Sequence, residues 1–202
     1  MKKLLSLTLA LLFSAMLIAQ NNIVLQESFD SGVLPTGWHE TGNTSSNWSV
    51  SASNNAGGTA NELKFNCQPS FSGLSRMVTA AVDLTNVSGL IVSFKMYFDN
   101  YSTVTNYINI ATSSDNGNTW NLGWSKGYNV TGKYTEEINL ITPDMGKSNV
   151  LLSIYYNGDW FNFDAWYFDD IVITAQENTD IKMVSIDLPN MLGAGNTEIP
   201  FT

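Results

Sequence analysis

Short runs of apolar, β-branched and aromatic residues, separated by clusters of Gly, Asn, Ser, Asp and Pro, recur along the chain from residue 23 onward. This spacing is typical of an all-β sandwich, and no long helical period competes with it. Segments 90–98 and 150–156 are rich in residues of the buried type, so we expect them to be central strands. The full pattern predicts strands over residues 23–28, 48–51, 62–66, 75–80, 89–98, 106–112, 118–124, 134–139, 150–157 and 166–174.

The two ends of the chain follow a different pattern. Residues 1–19 combine a basic start with an uncharged apolar run, which predicts a cleaved secretory signal and a location outside the cell or at its surface. The run is short for a membrane span, which takes roughly 20 apolar residues, so we expect no transmembrane segment in the mature chain. We predict one β domain over residues 20–175, a polar linker over 176–180, and the start of a truncated second β domain over 181–202.

Acidic residues outnumber basic ones by 18 to 9, which gives a net charge of −9; loss of the two lysines of the signal takes it from −9 to −11. This excess argues against nucleic acids and anionic membranes as partners, because both require basic patches. An acidic surface rich in Asn and aromatic residues suits calcium and carbohydrate. The alternative that stays open is that the acidity only keeps an exported protein soluble.

No catalytic pattern is present in the sequence. It lacks Gly-x-Ser-x-Gly, His-Glu-x-x-His and a phosphate-binding Gly loop, and it contains a single histidine, His39, and a single cysteine, Cys67. One cysteine cannot form an intramolecular disulfide, so we interpret Cys67 as a small, partly buried hydrophobic residue. We predict that the chain is not an enzyme.

Two adjacent carboxylates, Asp169 and Asp170, lie in the apolar run 166–174. Because alternate residues of a strand face opposite sides, burial of either face takes one of the two carboxylates with it. An unpaired buried carboxylate costs several kcal/mol or more, so the pair requires a compensating cation. That cation is either a metal ion or an Arg or Lys from elsewhere in the chain.

The first predicted strand is also acidic where it ends, at Glu27 and Asp30. If the first and last strands are neighbours, their carboxylates converge into the cluster of hard oxygen ligands that calcium prefers. The alternative is a set of separate, solvated carboxylates with Lys64 or Arg76 nearby. The candidate calcium ligands are Glu27, Asp30, Asn66, Asp169 and Asp170, with Asn54 as a further amide and backbone carbonyls to complete the shell.

Residues 155–166 form a predicted loop that is rich in both aromatic and polar residues. It is too polar to lie wholly in the core and too aromatic to be only a connection between strands. Its composition is that of a surface on which a sugar ring stacks on an aromatic side chain between polar anchors. The alternative is a loop whose rings pack inward over the end of the sandwich. The candidate ligand-binding residues are Trp160, Asp159, Asn157 and Asn162.

Residues 113–120 match the Asp-box pattern Ser-x-Asp-x-Gly-x-Thr-Trp. The pattern predicts a hairpin in which Asn116 and Gly117 supply the turn and Asp115 accepts hydrogen bonds from loop amides. Sialidases carry several such boxes away from their chemistry, whereas this chain has one and no arginine triad. We therefore predict a structural hairpin.

The order of several short segments resembles the cleaved-adhesin or choice-of-anchor J group of bacterial surface domains, relatives of the MAM domain. The matching segments are Glu-Ser-Phe-Asp at 27–30, Leu-Pro-Thr-Gly-Trp at 34–38, the runs 75–84 and 92–98, the Asp box at 114–120, and Trp-Tyr-Phe-Asp-Asp-Ile-Val-Ile at 166–173. Together these segments extend over nearly all of residues 22–174.

The resemblance implies a jelly-roll β-sandwich of two antiparallel sheets, with structural calcium between the first and last strands. It makes Asp30 and Asp169 the first ligands to expect, followed by Glu27 and Asp170. The spacer over residues 38–48 is shorter and less acidic than in many members of the group, so a second calcium site is not expected.

The sequence therefore predicts a non-catalytic, calcium-stabilised binding or adhesion module of a larger secreted or surface-anchored bacterial protein. Its expected partner is a glycan or a cell-surface protein. Two alternatives remain open: an accessory domain of a secreted hydrolase whose catalytic part lies elsewhere, and a purely structural spacer.

Overall fold

The computed structural model describes residues 22–44 and 46–177, which form two antiparallel sheets packed face to face. The prediction of an all-β jelly-roll sandwich is confirmed. The helical content of this part of the chain is one 3₁₀ turn, Trp160–Asn162, and no helix within it has the length and apolarity needed to cross a membrane. The predicted signal at 1–19 and the predicted second domain at 181–202 lie outside the described residues.

The strands follow one another along the chain with short connections. In chain order they are β1 (Asn22–Glu27), β2 (His39–Gly42), β3 (Trp48–Ser51), β4 (Glu62–Asn66), β5 (Ser72–Val78), β6 (Val87–Asn100), β7 (Asn106–Ser113), β8 (Asn121–Tyr128), β9 (Gly132–Leu140), β10 (Leu151–Asp159) and β11 (Phe163–Glu177).

The first sheet is built around β11 and has the order β3-β4-β11-β6-β9. Along one edge, β11 pairs with β6 over almost its whole length. Along the other edge it pairs first with β4 and then, further along, with β1. The first and last strands are therefore neighbours, and β1 and β4 share one edge of β11.

The second sheet has the order β2-β5-β10-β7-β8. The two segments predicted to be central are interior strands, because β6 lies between β11 and β9, and β10 lies between β5 and β7. The inner faces of the two sheets enclose an aromatic core in which Phe98 stacks on Trp166 at 4.0 Å between ring centroids and Trp48 on Phe65 at 4.5 Å. Stacked aromatic rings stabilise the fold beyond the contribution of their buried apolar area.

The observed strands differ from the sequence prediction at several points. Strand β2, His-Glu-Thr-Gly, was not predicted because it is short and polar, and it exists through its pairing with β5. Strand β8 begins at Asn121 because the Asp-box turn occupies the preceding residues. The last strand, predicted over 166–174, runs from Phe163 to Glu177, and Gln176 and Glu177 continue it opposite Gly89 and Val87.

Candidate functional site

A gap in the pairing of β11 contains the acidic pair. The last residue of β11 opposite β4 is Phe168, and the first opposite β1 is Ile171, so Asp169 and Asp170 have no partner residue on that edge. The end of β1 and the start of β4 meet at this gap, and each carries an acidic residue. We call the group formed by Glu27, Asp30, Glu62, Asp169 and Asp170 the carboxylate junction.

A β-bulge at the junction changes which residues face the core. Asp170 has φ 49°, and the register between β11 and β6 shifts between Asp169 and Val172. Trp166 and Phe168 are buried before the bulge, whereas Ile171 and Ile173 are buried after it. The simple alternation that the sequence pattern predicts is therefore wrong across the bulge, because one extra residue shifts the phase of the strand.

Asp169 is the carboxylate that the fold buries. It is fully buried, its Oδ1 accepts a 2.7 Å hydrogen bond from the amide of Asp170, and its Oδ2 has no hydrogen-bond partner among the described residues. Burial raises the pKa of Asp169 to about 6, and the negative charges of Asp170, Glu62 and Asp30 contribute in the same direction. This site would be stabilised by a cation.

A glycine leaves room between the two carboxylates. A Cβ at Gly58 would lie 2.6 Å from Oδ2 of Asp169 and 2.9 Å from Oδ2 of Asp170. Gly58 has φ +100°, a conformation that residues with side chains rarely adopt. The two oxygens thus face one small space that any larger residue at position 58 would fill.

A lysine forms a salt bridge with one of the two adjacent acids, Asp170. Lys95 Nζ, on β6, lies 2.6 Å from Oδ2 of Asp170, whereas the sequence had suggested Lys64 or Arg76. Lys64 lies over the ring of Tyr167, 5.4 Å from its centroid. The Lys95 contact leaves the buried Asp169 without a salt-bridge partner among the described residues.

The other predicted calcium ligands are placed unequally. Asp30 is exposed and its Oδ2 accepts a 3.0 Å hydrogen bond from the Ser28 hydroxyl, while Glu27 accepts a 2.6 Å bond from the amide of Phe29. Asn66 lies opposite Ala165, four residues before Asp169 on β11, so the strand register separates it from the junction. The prediction that joined Asn66 to this group is wrong for that reason.

Glu62 belongs to the junction and was missed by the sequence argument. It is fully buried at the start of β4, and its carboxylate accepts 2.7 Å hydrogen bonds from the amides of Asn55 and Ala56. Its position directly after a Gly- and Asn-rich loop was the available signal. Within residues 22–44 and 46–177, no group of three or more His, Cys, Asp and Glu side chains is already arranged to hold a metal ion.

A second candidate site is an open groove of about 240 Å³ at one end of the sandwich. Two exposed rings border it, Tyr101 and Phe161, which are 59% and 55% exposed and meet edge to face at 5.1 Å between centroids. We call it the aromatic groove; its lining residues are Cys67, Gln68, Tyr101, Trp160, Phe161, Phe163 and Asp164.

Of the four predicted ligand-binding residues, Trp160 lines the groove. Asp159 instead caps the 3₁₀ turn by accepting a 2.9 Å bond from the amide of Phe161, and the Asn162 carbonyl accepts a bond from Ser102. Asn157 is exposed on β10, outside the groove lining. The sequence argument found the loop that forms one wall but missed Tyr101, which comes from a distant turn.

Comparisons with known proteins rest on structure. No known protein family matches the chain's sequence, and no curated protein sequence matches it. The fold is similar to TmCBM61, solved with β-1,4-galactotriose, with a TM-score of 0.54 at 18% identity over 77% of this chain and 99% of that one. It is also similar to the K1 cleaved adhesin domain of Lys-gingipain from Porphyromonas gingivalis W83, with a TM-score of 0.58 at 14% identity over 75% and 98%.

A third similar structure contains an enzyme as well as a binding module. It comprises the CBM22-1-GH10 modules of the Clostridium thermocellum xylanase Xyn10B, solved with xylohexaose, with a TM-score of 0.52 at 17% identity over 79% of this chain and 29% of that one. At such identities these similarities establish that the chain has the β-sandwich fold.

Proposed function

We propose that the described domain is a non-catalytic carbohydrate-binding module of an exported or surface-attached protein, and that a glycan binds in the aromatic groove. The observation that carries this proposal is the pair of exposed rings, Tyr101 and Phe161, beside the partly exposed Trp160. Exposed aromatic residues in contact with one another are costly to leave in water unless a ligand covers them.

The groove combines the two kinds of surface that sugar recognition requires. Its rings offer flat apolar faces for the C–H side of a pyranose ring, and Gln68 and Asp164 at its border are exposed and offer hydrogen-bonding groups for hydroxyls. The 3₁₀ turn is held by the Asp159 cap and by the Asn162 carbonyl, so two of the predicted ligand residues would act by fixing the position of Trp160 and Phe161.

The similar structures support the same class of ligand. TmCBM61 and the Xyn10B modules were solved with oligosaccharides, and the gingipain domain is named an adhesin. A cell-surface glycan is the partner that reconciles the two descriptions, with a surface protein as the next class to test. The Xyn10B match also favours a second candidate, an accessory module of a secreted hydrolase, because there a module of this fold is joined to a catalytic one.

The groove proposal is tested by removing one ring. We expect Phe161→Ala to weaken the binding of the glycan selected on an array at least tenfold, measured by calorimetry, because truncating an aromatic anchor at the centre of a binding site typically costs about 2 kcal/mol or more. Tyr107→Ala is the matched control, since Tyr107 is a similarly exposed ring outside the groove. Equal affinities for wild type and Phe161→Ala, or no glycan bound at all, would contradict the proposal.

We also propose that the carboxylate junction holds a structural calcium ion, with Oδ2 of Asp169 and Oδ2 of Asp170 as its first ligands. The residues fit the ion in three respects: the buried Oδ2 of Asp169 lacks a partner, both oxygens face the space beside Gly58, and carboxylate oxygens are the ligands calcium prefers. Asp30 and Glu62 add negative charge close by. Bound calcium would supply the charge that Lys95 gives only to Asp170.

Two neighbouring glycines provide a matched test of the calcium site. Gly57 and Gly58 both have positive φ, +103° and +100°, but a Cβ at Gly57 would meet only Lys95 Cδ, at 4.0 Å. Gly57→Ala and Gly58→Ala should each lower the free energy of unfolding by about 1 to 2 kcal/mol, because alanine is strained at a positive φ. Only Gly58→Ala should also lose the stabilisation by calcium, because its methyl group fills the space between the two oxygens.

The measurement is thermal unfolding of wild type and both variants in EDTA and in excess calcium. We expect calcium at about 100 times its Kd to stabilise wild type and Gly57→Ala by about 3 kcal/mol and Gly58→Ala by nothing measurable. A wild-type melting temperature that is the same in EDTA and in calcium would refute the site.

A further inference from the structure

The outer face of the second sheet contains a buried cation held between two aromatic rings. Arg76, on β5, is 5% exposed, and its Cζ lies 3.9 Å from the centroid of the Trp120 ring and 4.6 Å from that of Tyr155. Tyr155 is directly opposite Arg76 on β10, and Trp120 reaches over it from the Asp-box hairpin between β7 and β8. Both rings are partly exposed.

Most of the hydrogen-bond donors of this guanidinium are unused. Nη1 donates to Ser153 Oγ at 3.1 Å, and Nε is buried with no partner among the described residues. Nη2 also has no hydrogen-bond partner there. An arginine side chain carries five N–H donors in one plane, so the larger part of its capacity remains available.

The missing counter-charge is notable in a chain of this composition. Arg76 is the only arginine in the sequence, and acidic residues are twice as numerous as basic ones. Even so, no carboxylate of the described residues lies within 4.0 Å of its nitrogens. Desolvation lowers the pKa of Arg76 to about 10, so the side chain still carries its charge at neutral pH.

We propose that Arg76, Trp120 and Tyr155 form a second binding site, which accepts the carboxylate of a uronic acid residue in an acidic oligosaccharide. The inference rests on the proposed carbohydrate-binding function and names a ligand class for a different face of the domain. A buried charge without a partner costs free energy that a hydrophobic residue of similar size would not, so a ligand that supplies the partner explains its presence.

The chemistry of the site selects a carboxylated sugar. The planar N–H fork of arginine matches the planar carboxylate, and the rings on either side of it suit the apolar face of a sugar ring. Glycans with more than one negative charge on each sugar are disfavoured further by the net negative charge of the whole chain.

The test compares each acidic sugar with its own methyl ester. Binding of tetragalacturonate, tetramannuronate and tetraglucuronate, and of the three methyl esters, is measured by calorimetry at fixed calcium and low salt. We expect wild type to bind at least one acid ten or more times tighter than its ester, because the ester removes the charge and keeps the ring. The preference should decline as salt is raised.

Substitutions at Arg76 then assign the preference to the site. Arg76→Met and Arg76→Lys should both abolish it, since the first removes the charge and the second removes the planar fork. Lys64→Met is the matched control, because Lys64 also lies over a tyrosine ring but on the other sheet. Should Arg76→Met not fold, as judged by thermal unfolding, the ester comparison on wild type and the Lys variant still decide the question.

The outcomes separate this inference from the proposed function. If no acid binds better than its ester, or if Arg76→Lys keeps the preference, the acidic site is refuted, whereas glycan binding that depends on Phe161 is unaffected. A tighter affinity for a sulfated tetrasaccharide than for all three uronates would overturn the assignment to a carboxylate. If acids bind through Arg76 while Phe161→Ala has no effect on any glycan, the groove proposal fails and the second site stands.

Discussion

A carboxylic acid that is buried next to other acids keeps its proton at a pH where a solvated one has lost it. Asp169 has this environment, and its pKa is raised from 3.8 to about 6. Between those two values the folded chain binds a proton that the unfolded chain has released. The free energy of unfolding of the metal-free protein should therefore fall as pH rises through this window, by about 2 to 3 kcal/mol.

Asp169→Asn isolates this contribution, because an amide resembles the protonated acid. We expect the free energy of unfolding in EDTA, measured with urea, to rise for the variant relative to wild type by about 2 to 3 kcal/mol between pH 4 and pH 7. Asp164→Asn is the control, since Asp164 is an exposed carboxylate of the same strand and is not among the charges that raise the pKa of Asp169; this variant should show no such gain. A difference between Asp169→Asn and wild type that does not change with pH would contradict the expectation.

Strand β11 shows at the level of one element what the sequence could and could not predict. Its apolar run predicted a strand, and its two adjacent acids predicted that one carboxylate would be buried, both from residue type alone. The bulge could not be predicted, because Asp is only one of several residues that tolerate φ 49° and only the competing pairings with β1, β4 and β6 demand it. For the same reason the sequence argument assigned Asn66 to the junction, although the strand register places it opposite Ala165, and it missed Glu62.

The last residues of β11 hold the strand to its neighbour. Gln176 pairs with Gly89 of β6, its carbonyl accepts a 3.1 Å bond from Ser88 Oγ, and its Nε2 donates to Oδ1 of Asn139 at 3.2 Å. These contacts extend the sheet past the domain boundary that composition suggested.

Removal of those two residues should therefore cost stability. A fragment over residues 22–175 should be about 1 to 3 kcal/mol less stable than one over 22–177, because each lost hydrogen bond contributes about 1 kcal/mol. Urea unfolding of both fragments, with the full chain as control, measures the difference. Equal stability would mean that the domain ends at 175, as its composition suggested.

At the scale of the whole molecule, local pattern was sufficient for the architecture and insufficient for the sites. Alternating apolar positions predicted most strands, and strands at this spacing have few other ways to bury their inner faces than two packed sheets. The aromatic groove joins Tyr101 to the Trp160 turn, and the Arg76 site joins β5 to β10 and to the Asp-box hairpin. Such meetings depend on strand order, which no single segment of the sequence encodes.

The central position of β11 also sets an order of events. Among the strands that the structure describes, β1 pairs only with β11, and β4 is connected to β6 only through β11. The first sheet therefore has no central strand until residues 163–177 have been synthesised. Contacts between the two ends of a domain are slow to form, because the entropy cost of closing a long loop comes before the favourable energy of the contacts. The sandwich should therefore fold late and as a unit, after the ribosome has released its last strand.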